Sequence, residues 1–157
     1  MSDDKSYLRE AIKLSREHMQ KGAGGPFGAV IVKDGRIIGR GWNRVTSTQD
    51  PTAHAEVVAI REACKSLNDF SLKGSVIYTS CEPCPMCLAA IYWARIDKIF
   101  YSNNRADAKK INFDDDFLYR EISRSIDERS LPMQQLLRDE AYEVFLEWEK
   151  KLDKIHY

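Results

Sequence analysis

Two short stretches of the 157-residue chain carry residue types that do chemistry: Thr52-Ala53-His54-Ala55-Glu56 and Cys81-Glu82-Pro83-Cys84-Pro85-Met86-Cys87. Each is placed to open a helix after a loop. Cys84 and Cys87 are three apart, so on the first turn of a helix both sulfurs face the same way. Thiolates are favoured there by the free backbone N–H groups and by the positive end of the helix. His54 can add an imidazole nitrogen from the neighbouring helix start. One histidine and two cysteines make three ligands, and a catalytic zinc site takes three protein ligands plus one open position for water. The metal acidifies that water. Glu56, two residues past His54, is a carboxylate able to take the proton and deliver it elsewhere. Lewis acid, nucleophile and proton shuttle are the parts of a hydrolytic site.

Taken singly these signals are weak. Cys-x-x-Cys also marks structural zinc sites and buried thiols, and His-x-Glu alone more often marks a surface pair. Together, with Pro83 ahead of Cys84 and a strand between the two halves, they match the His-x-Glu and Pro-Cys-x-x-Cys pattern of zinc deaminases. A structural centre would need a fourth protein ligand, for which His18, His156 and Cys81 are the candidates. Cys81 is the rival inside the cluster. Placed at a strand end before the proline turn, it reads as a small apolar filler.

Alternating helices and strands must hold these segments. Leu8, Ala11, Ile12, Ser15 and Met19 recur at spacings of three and four and predict a first helix, with Ser2 and Asp3 as candidate caps. It stops at Gly22-Ala23-Gly24-Gly25-Pro26. Phe27 to Lys33 reads as a buried strand, Asp34-Gly35 as a two-residue hairpin turn, and Arg36 to Asn43 as the returning strand. Asp50-Pro51-Thr52 opens a second helix that ends near Asn68. Ser75 to Thr79 is a short strand, Pro83 to Arg95 a third helix and Ile96 to Tyr101 another strand. Asp107 to Ile111 and Phe117 to Ile122 follow as short helices. Tyr142, Phe145, Trp148, Leu152 and Ile155 give the end of the chain a wide apolar face at helical spacing. The order α-β-β-α-β-α-β-α predicts a three-layer α/β domain with helices on both sides of a mixed sheet. No repeat or long linker divides it, so 1–157 is read as a single domain.

Composition narrows the partners. Lysine plus arginine and aspartate plus glutamate each total 24, for a formal net charge of zero. Proteins that live on nucleic acid usually carry a basic excess, so a nucleic-acid partner is not expected. No apolar run approaches the ~18 residues needed to cross a bilayer, and Met-Ser-Asp-Asp-Lys is neither a signal nor a transit peptide. Three of the four cysteines fall between 81 and 87, a spacing that suits a metal better than a disulfide framework. The expectation is a cytoplasmic protein with reduced thiols and no membrane partner.

The chain resembles the cytidine-deaminase-like superfamily of zinc hydrolases in His54-Ala55-Glu56 and Pro83-Cys84-Pro85-Met86-Cys87. Longer segments are similar to the bacterial guanine deaminases: Gly25 to Val30, Asn43, Asp50 to Glu56, Tyr78 to Cys87, Ala90 to Arg95, Phe113-Asp114-Asp115 and the terminal Tyr157. The resemblance runs nearly end to end, thinning at 103–111 and 121–137. It implies a three-layer α/β/α cytidine-deaminase-like fold with a mixed five-stranded sheet, helices on both faces, and one zinc per chain on His54, Cys84 and Cys87. It implies Glu56 as the catalytic proton shuttle in hydrolysis of guanine to xanthine and ammonia. It further implies that Asn43 hydrogen-bonds the small-molecule purine, that the Ala55 N–H meets a ring or carbonyl group, and that Phe27 stacks on or walls the base. Trp93 and Asp115 would complete the pocket, with Asp115 favoured over Asp114. Tyr157 would close it as part of a C-terminal flap (about 139–157), and the family implies a homodimer in which that segment is exchanged.

Without the resemblance, Asn43 would read as a turn residue, Phe27 and Trp93 as core, Asp114 to Asp116 as a solvated loop and Tyr157 as a frayed end. The rival readings are an adenosine deaminase acting on transfer RNA, a cytosine or cytidine deaminase, and a non-catalytic zinc-stabilised binding module. The first would need a basic groove. Residues 121–157 instead carry nine acidic against six basic side chains.

Overall fold

Asp34 and Gly35 both take positive φ, 50° and 72°, the hairpin turn whose twist matches that of its flanking strands. They fold β1 (Gly28–Lys33) antiparallel onto β2 (Arg36–Trp42). On its other side β1 pairs antiparallel with β3 (Ser75–Cys81), and β3 pairs parallel with β4 (Lys98–Asn103). The computed structural model describes residues 3–157 and orders these strands β2-β1-β3-β4 in one mixed sheet.

Alternation along the central strands sends side chains to two faces. Val30, Val32 and Tyr78 point to one, where α1 (Asp4–Gln20) lays down Leu14. Ala29, Ile31 and Ile77 point to the other, against α3 (Ala55–Leu67) and α4 (Pro85–Trp93). Three layers with helices on both faces are as expected. The face α1 presents is so only in part. Leu8 and Ala11 of the expected stripe pack inward, but Ile12 and Met19 are exposed, and the contact runs through buried Ala11 and Leu14 flanked by half-buried Tyr7, Leu8 and His18. Asp3 stands at the cap position without a side-chain cap bond, and Ser2 lies outside the described residues.

The seat of α3 is built from small residues. Ala55, Ala59 and Ala63, four apart, are fully buried. Opposite them on β2 lie Gly39 and Gly41, where a Cβ would collide with the backbone of Ala59 and Ala55. The helix backbone therefore lies directly on the strand. Its start is later than the sequence predicts. Asp50 Oδ1 accepts the Thr52 N–H at 2.8 Å and its hydroxyl at 2.6 Å, so 50–52 is spent on a turn and the helix opens at Ala55. One short helix, α2 (Val45–Thr48), is unforeseen.

Among the described residues the sheet has four strands rather than five. After β4, Asn104 accepts the Asp107 N–H and Asp107 accepts the Asn104 N–H, a reciprocal cap that turns the chain into α5 (Arg105–Lys110). Next comes α6 (Asp115–Ser123), and the polar stretch beyond it, with Pro132, has no strand alternation. The described residues form two units, one ending at Tyr119 and one of Arg120–Tyr157. The second holds a short 3-10 turn (Ile126–Glu128) and α7 (Arg138–Lys150). No residue of α7 is buried, and Leu152 and Ile155 of the predicted apolar face lie past its end.

Candidate active site

His54 and Cys84 are equivalent positions in two different helices. Each is the cap residue with extended backbone, φ −68° and ψ 155° for His54, φ −66° and ψ 168° for Cys84, and neither spends its side chain on a cap bond. Pro85 supplies the preset φ of the first helical position. Cys87 follows on the first turn of α4. His54 Nδ1 lies 3.6 Å from Cys84 Sγ and 3.5 Å from Cys87 Sγ.

That spacing tests the metal reading. A tetrahedral centre with Zn–S of ~2.3 Å and Zn–N of ~2.0 Å needs its nitrogen and sulfur ligands about 3.5 Å apart, which is the separation found. Among the described residues the ligand group comprises these three side chains. Cys81 is not in it: its Sγ lies 3.9 Å from the Asn104 carbonyl oxygen. Burial, aided by the Asp115 charge, pushes the Cys81 thiol up to about 12. It stays a protonated filler, as expected. His18 stacks flat on Trp42, 3.6 Å between ring centroids and 6° between planes.

The surroundings move the two sulfurs in opposite directions. The neighbouring Cys87 first, and the contact with His54 at 3.6 Å, bring Cys84 down to about 4 against the opposing effect of burial. Cys87 moves the other way, raised by the neighbouring Cys84 first and by burial second. The hydrogen bond to Cys84 raises His54, outweighing its burial. Glu56 is 6% exposed, and burial raises its pKa above the usual carboxylate range. Its Oε1 lies 3.3 Å from the Thr79 hydroxyl.

A cavity of about 250 Å³ opens above these groups. Pockets for drug-sized ligands run ~300–1,000 Å³, so this one suits a molecule the size of a free nucleobase. His54, Glu56 and Cys84 line it together with Phe27, Asn43 and Asp115. Phe27 meets Phe113 edge-on, 4.9 Å between centroids at 89°, and both rings line the cavity. Asn43 Oδ1 accepts the N–H groups of Gly25 at 3.1 Å and Val45 at 3.2 Å. Those bonds assign the amide orientation and leave the Nδ2 hydrogens for a ligand. Asp115 is raised by burial first and by the Cys84 charge second.

Not every expected residue is gathered here. Ala55 is fully buried at the start of α3, where a helix leaves its first N–H groups without intrahelical partners. Trp93 is 62% exposed at the far end of α4 and does not line the cavity. At 1.5 Å per residue, the helix carries it roughly 13 Å from Cys84. Tyr157 belongs to the second unit and is exposed.

Other contributors went unread in the sequence. Glu82, between Cys81 and Pro83, accepts the Arg105 N–H at 2.8 Å and its guanidinium at 3.3 Å. Arg105 in turn lies over the Tyr119 ring at 4.0 Å, and the Tyr119 hydroxyl donates to the Pro83 carbonyl at 2.7 Å. The segment bearing Phe113 and Asp115 is thus braced against the turn that presents Cys84. The available signals were an aromatic just ahead of an acidic run and a tyrosine on the first turns of the following helix.

Comparison with known proteins agrees with this geometry. The family pattern for the cytidine and deoxycytidylate deaminase zinc-binding region matches residues 1–103. The chain is 50% identical over 152 residues to guanine deaminase of Bacillus subtilis, covering 97% of each. The X-ray structure of guanine deaminase from Bacillus subtilis superposes with a TM-score of 0.96 at 49% identity, covering 100% of this chain and 99% of that one. A tRNA-specific adenosine deaminase of Aquifex aeolicus is 44% identical over 96 residues, 61% of this chain and 63% of its own length. The chain therefore belongs to the zinc-binding cytidine and deoxycytidylate deaminase family.

Proposed function

We propose that the protein hydrolyses guanine to xanthine and ammonia. The observation that carries this reading is the likeness to a guanine deaminase over 97% of both chains, well past the zinc-binding region that ends at residue 103.

His54, Cys84 and Cys87 would hold zinc, which when bound supplies the Lewis acidity that makes water a nucleophile at neutral pH. The residues around it do the rest. Glu56 takes the proton of the attacking water and delivers it to the ring nitrogen beside the amino-bearing carbon. It then takes the proton of the hydroxyl newly added to that carbon and passes it to the amine, which leaves as ammonia while the carbonyl of xanthine forms. Its burial supports this role, because a raised pKa makes a carboxylate a better proton acceptor. Phe27 and Phe113 wall the ring. Asn43 donates from Nδ2 to an acceptor of the purine, the Ala55 N–H meets a ring or carbonyl group, and Asp115 accepts from a purine N–H.

The reading extends to assembly. The uncovered apolar side chains of α7, with Phe145 70% and Trp148 42% exposed, support a homodimer in which the C-terminal segment, about 139–157, is exchanged. In such an assembly Trp93 and Tyr157, both exposed, would complete the pocket. The four free cysteines support a reducing compartment, the cytoplasm.

Ammonia release by zinc-loaded protein, with guanine beside adenine, cytosine, cytidine and transfer RNA, tests the substrate. Conversion of guanine alone is expected. Activity confined to another member of the panel would overturn the pocket assignments. Full zinc occupancy with silence throughout would favour a binding module.

A further inference from the structure

Thr79 is 1% exposed and its hydroxyl stands between two acceptors, the Cys81 carbonyl oxygen at 3.0 Å and Glu56 Oε1 at 3.3 Å. It sits on β3, two residues past Ile77, and alternation turns it to the same face, toward α3. A hydroxyl has one proton and two lone pairs. Turned toward Glu56, that proton is donated to Oε1, which stays an acceptor whether or not the other carboxyl oxygen carries a proton. Glu56 Oε1 therefore keeps the same partner in both states, and no heavy atom has to move. A buried carboxyl oxygen without such a partner would be costly.

We infer that Thr79 is a positioning residue for the reaction. It holds Oε1 of Glu56 in place, so that the second oxygen keeps a fixed direction and carries the proton between water and substrate. This rests on the role proposed above for Glu56. A bond serving only the strand end would involve the Cys81 carbonyl alone, and the two cases separate experimentally.

Thr79→Val keeps the shape and removes the hydroxyl, while Thr79→Ser keeps the hydroxyl. Both are compared with the parent for kcat, KM and bound zinc, on whichever base of the panel the parent deaminates. Failure of the parent on guanine counts against the substrate and leaves Thr79 to be judged on that other base. The expected result for Thr79→Val is a fall in kcat of about 10- to 100-fold, the scale of a misplaced reacting group, with KM and zinc content at parent values. Thr79→Ser restores turnover to within a few fold. In the Glu56→Gln background, Thr79→Val has no further effect on the residual rate. Parent kcat in Thr79→Val overturns the inference, and so does an equal fold loss in the Glu56→Gln background. If the valine variant does not fold, Thr79→Cys, a similar volume with a weak hydrogen-bonding group, enters the same comparison.

Discussion

Asp114 and Asp115 are neighbours with opposite assignments. The Asp114 carboxylate turns back to accept the Phe117 N–H at 3.1 Å and closes the start of α6. Asp115, one residue on, lines the cavity. Asp114→Ala should therefore cost about 0.5–2 kcal/mol of stability, as loss of a helix cap does, and leave guanine turnover near parent. Asp115→Ala should do the reverse, lowering kcat/KM by about 10-fold or more for a lost charged hydrogen bond with little change in Tm. Thermal melting and steady-state kinetics on the pair check both.

Cys81 and Cys84 offer a second contrast. Both are buried, yet only Cys84 belongs to the ligand group. Cys84→Ala should lose bound zinc and all turnover. Cys81→Ala should keep both and lose about 1 kcal/mol of packing, the size of a small core truncation. Metal content by atomic absorption separates them. Chelation of the parent should abolish activity, with recovery on adding zinc back.

Tyr119 tests the brace. Tyr119→Phe keeps the ring beneath Arg105 and removes only the bond to the Pro83 carbonyl. A loss of about 0.5–1.5 kcal/mol is expected, the usual net worth of one hydrogen bond. Zinc content should be unchanged, while KM for guanine rises because the Phe113 and Asp115 wall is less firmly placed. An unchanged KM would show that the wall is held without it.

His18 gives a pH dependence. Its pKa lies below the ordinary 6.5, through loss of solvation against Trp42 first and the Lys21 charge second. Between that lowered value and 6.5 the unfolded chain binds more protons than the folded one, so stability rises with pH through this window. It is lost as pH falls from 6.5 and levels off below the folded pKa. Melting curves of the parent and of His18→Gln across that range should differ in slope, with the variant flatter.

Much of this was legible because metal chemistry demands rare residue types at set spacings. His54, Glu56, Cys84 and Cys87 could be named from local order alone, and so could the Asp34-Gly35 turn, whose two φ values only a few residue types adopt. What stayed hidden depends on distant partners. Nothing local to Thr79 marks its contact with Glu56, 23 residues away. The start of α3 moved from Asp50 to Ala55 because one side chain preferred a turn. The α1 face was read correctly at Leu8 and Ala11 and missed at Leu14, because Ile12 and Met19 are apolar but the sheet below selects Leu14. The fifth strand was an expectation of the resemblance alone; the order of elements read from the residues holds four, as the sheet does.

The brace of Glu82, Arg105 and Tyr119 joins two separable parts of the chain. The zinc-binding region of the family ends at Asn103, and Phe113 and Asp115 come after it. The seam between them is crossed by Glu82 with Arg105 and by Tyr119 with Pro83. Substitutions between 104 and 119 that keep those two ties should alter the wall at Phe113 and Asp115 while His54, Glu56, Cys84 and Cys87, held by α3 and α4, keep their places.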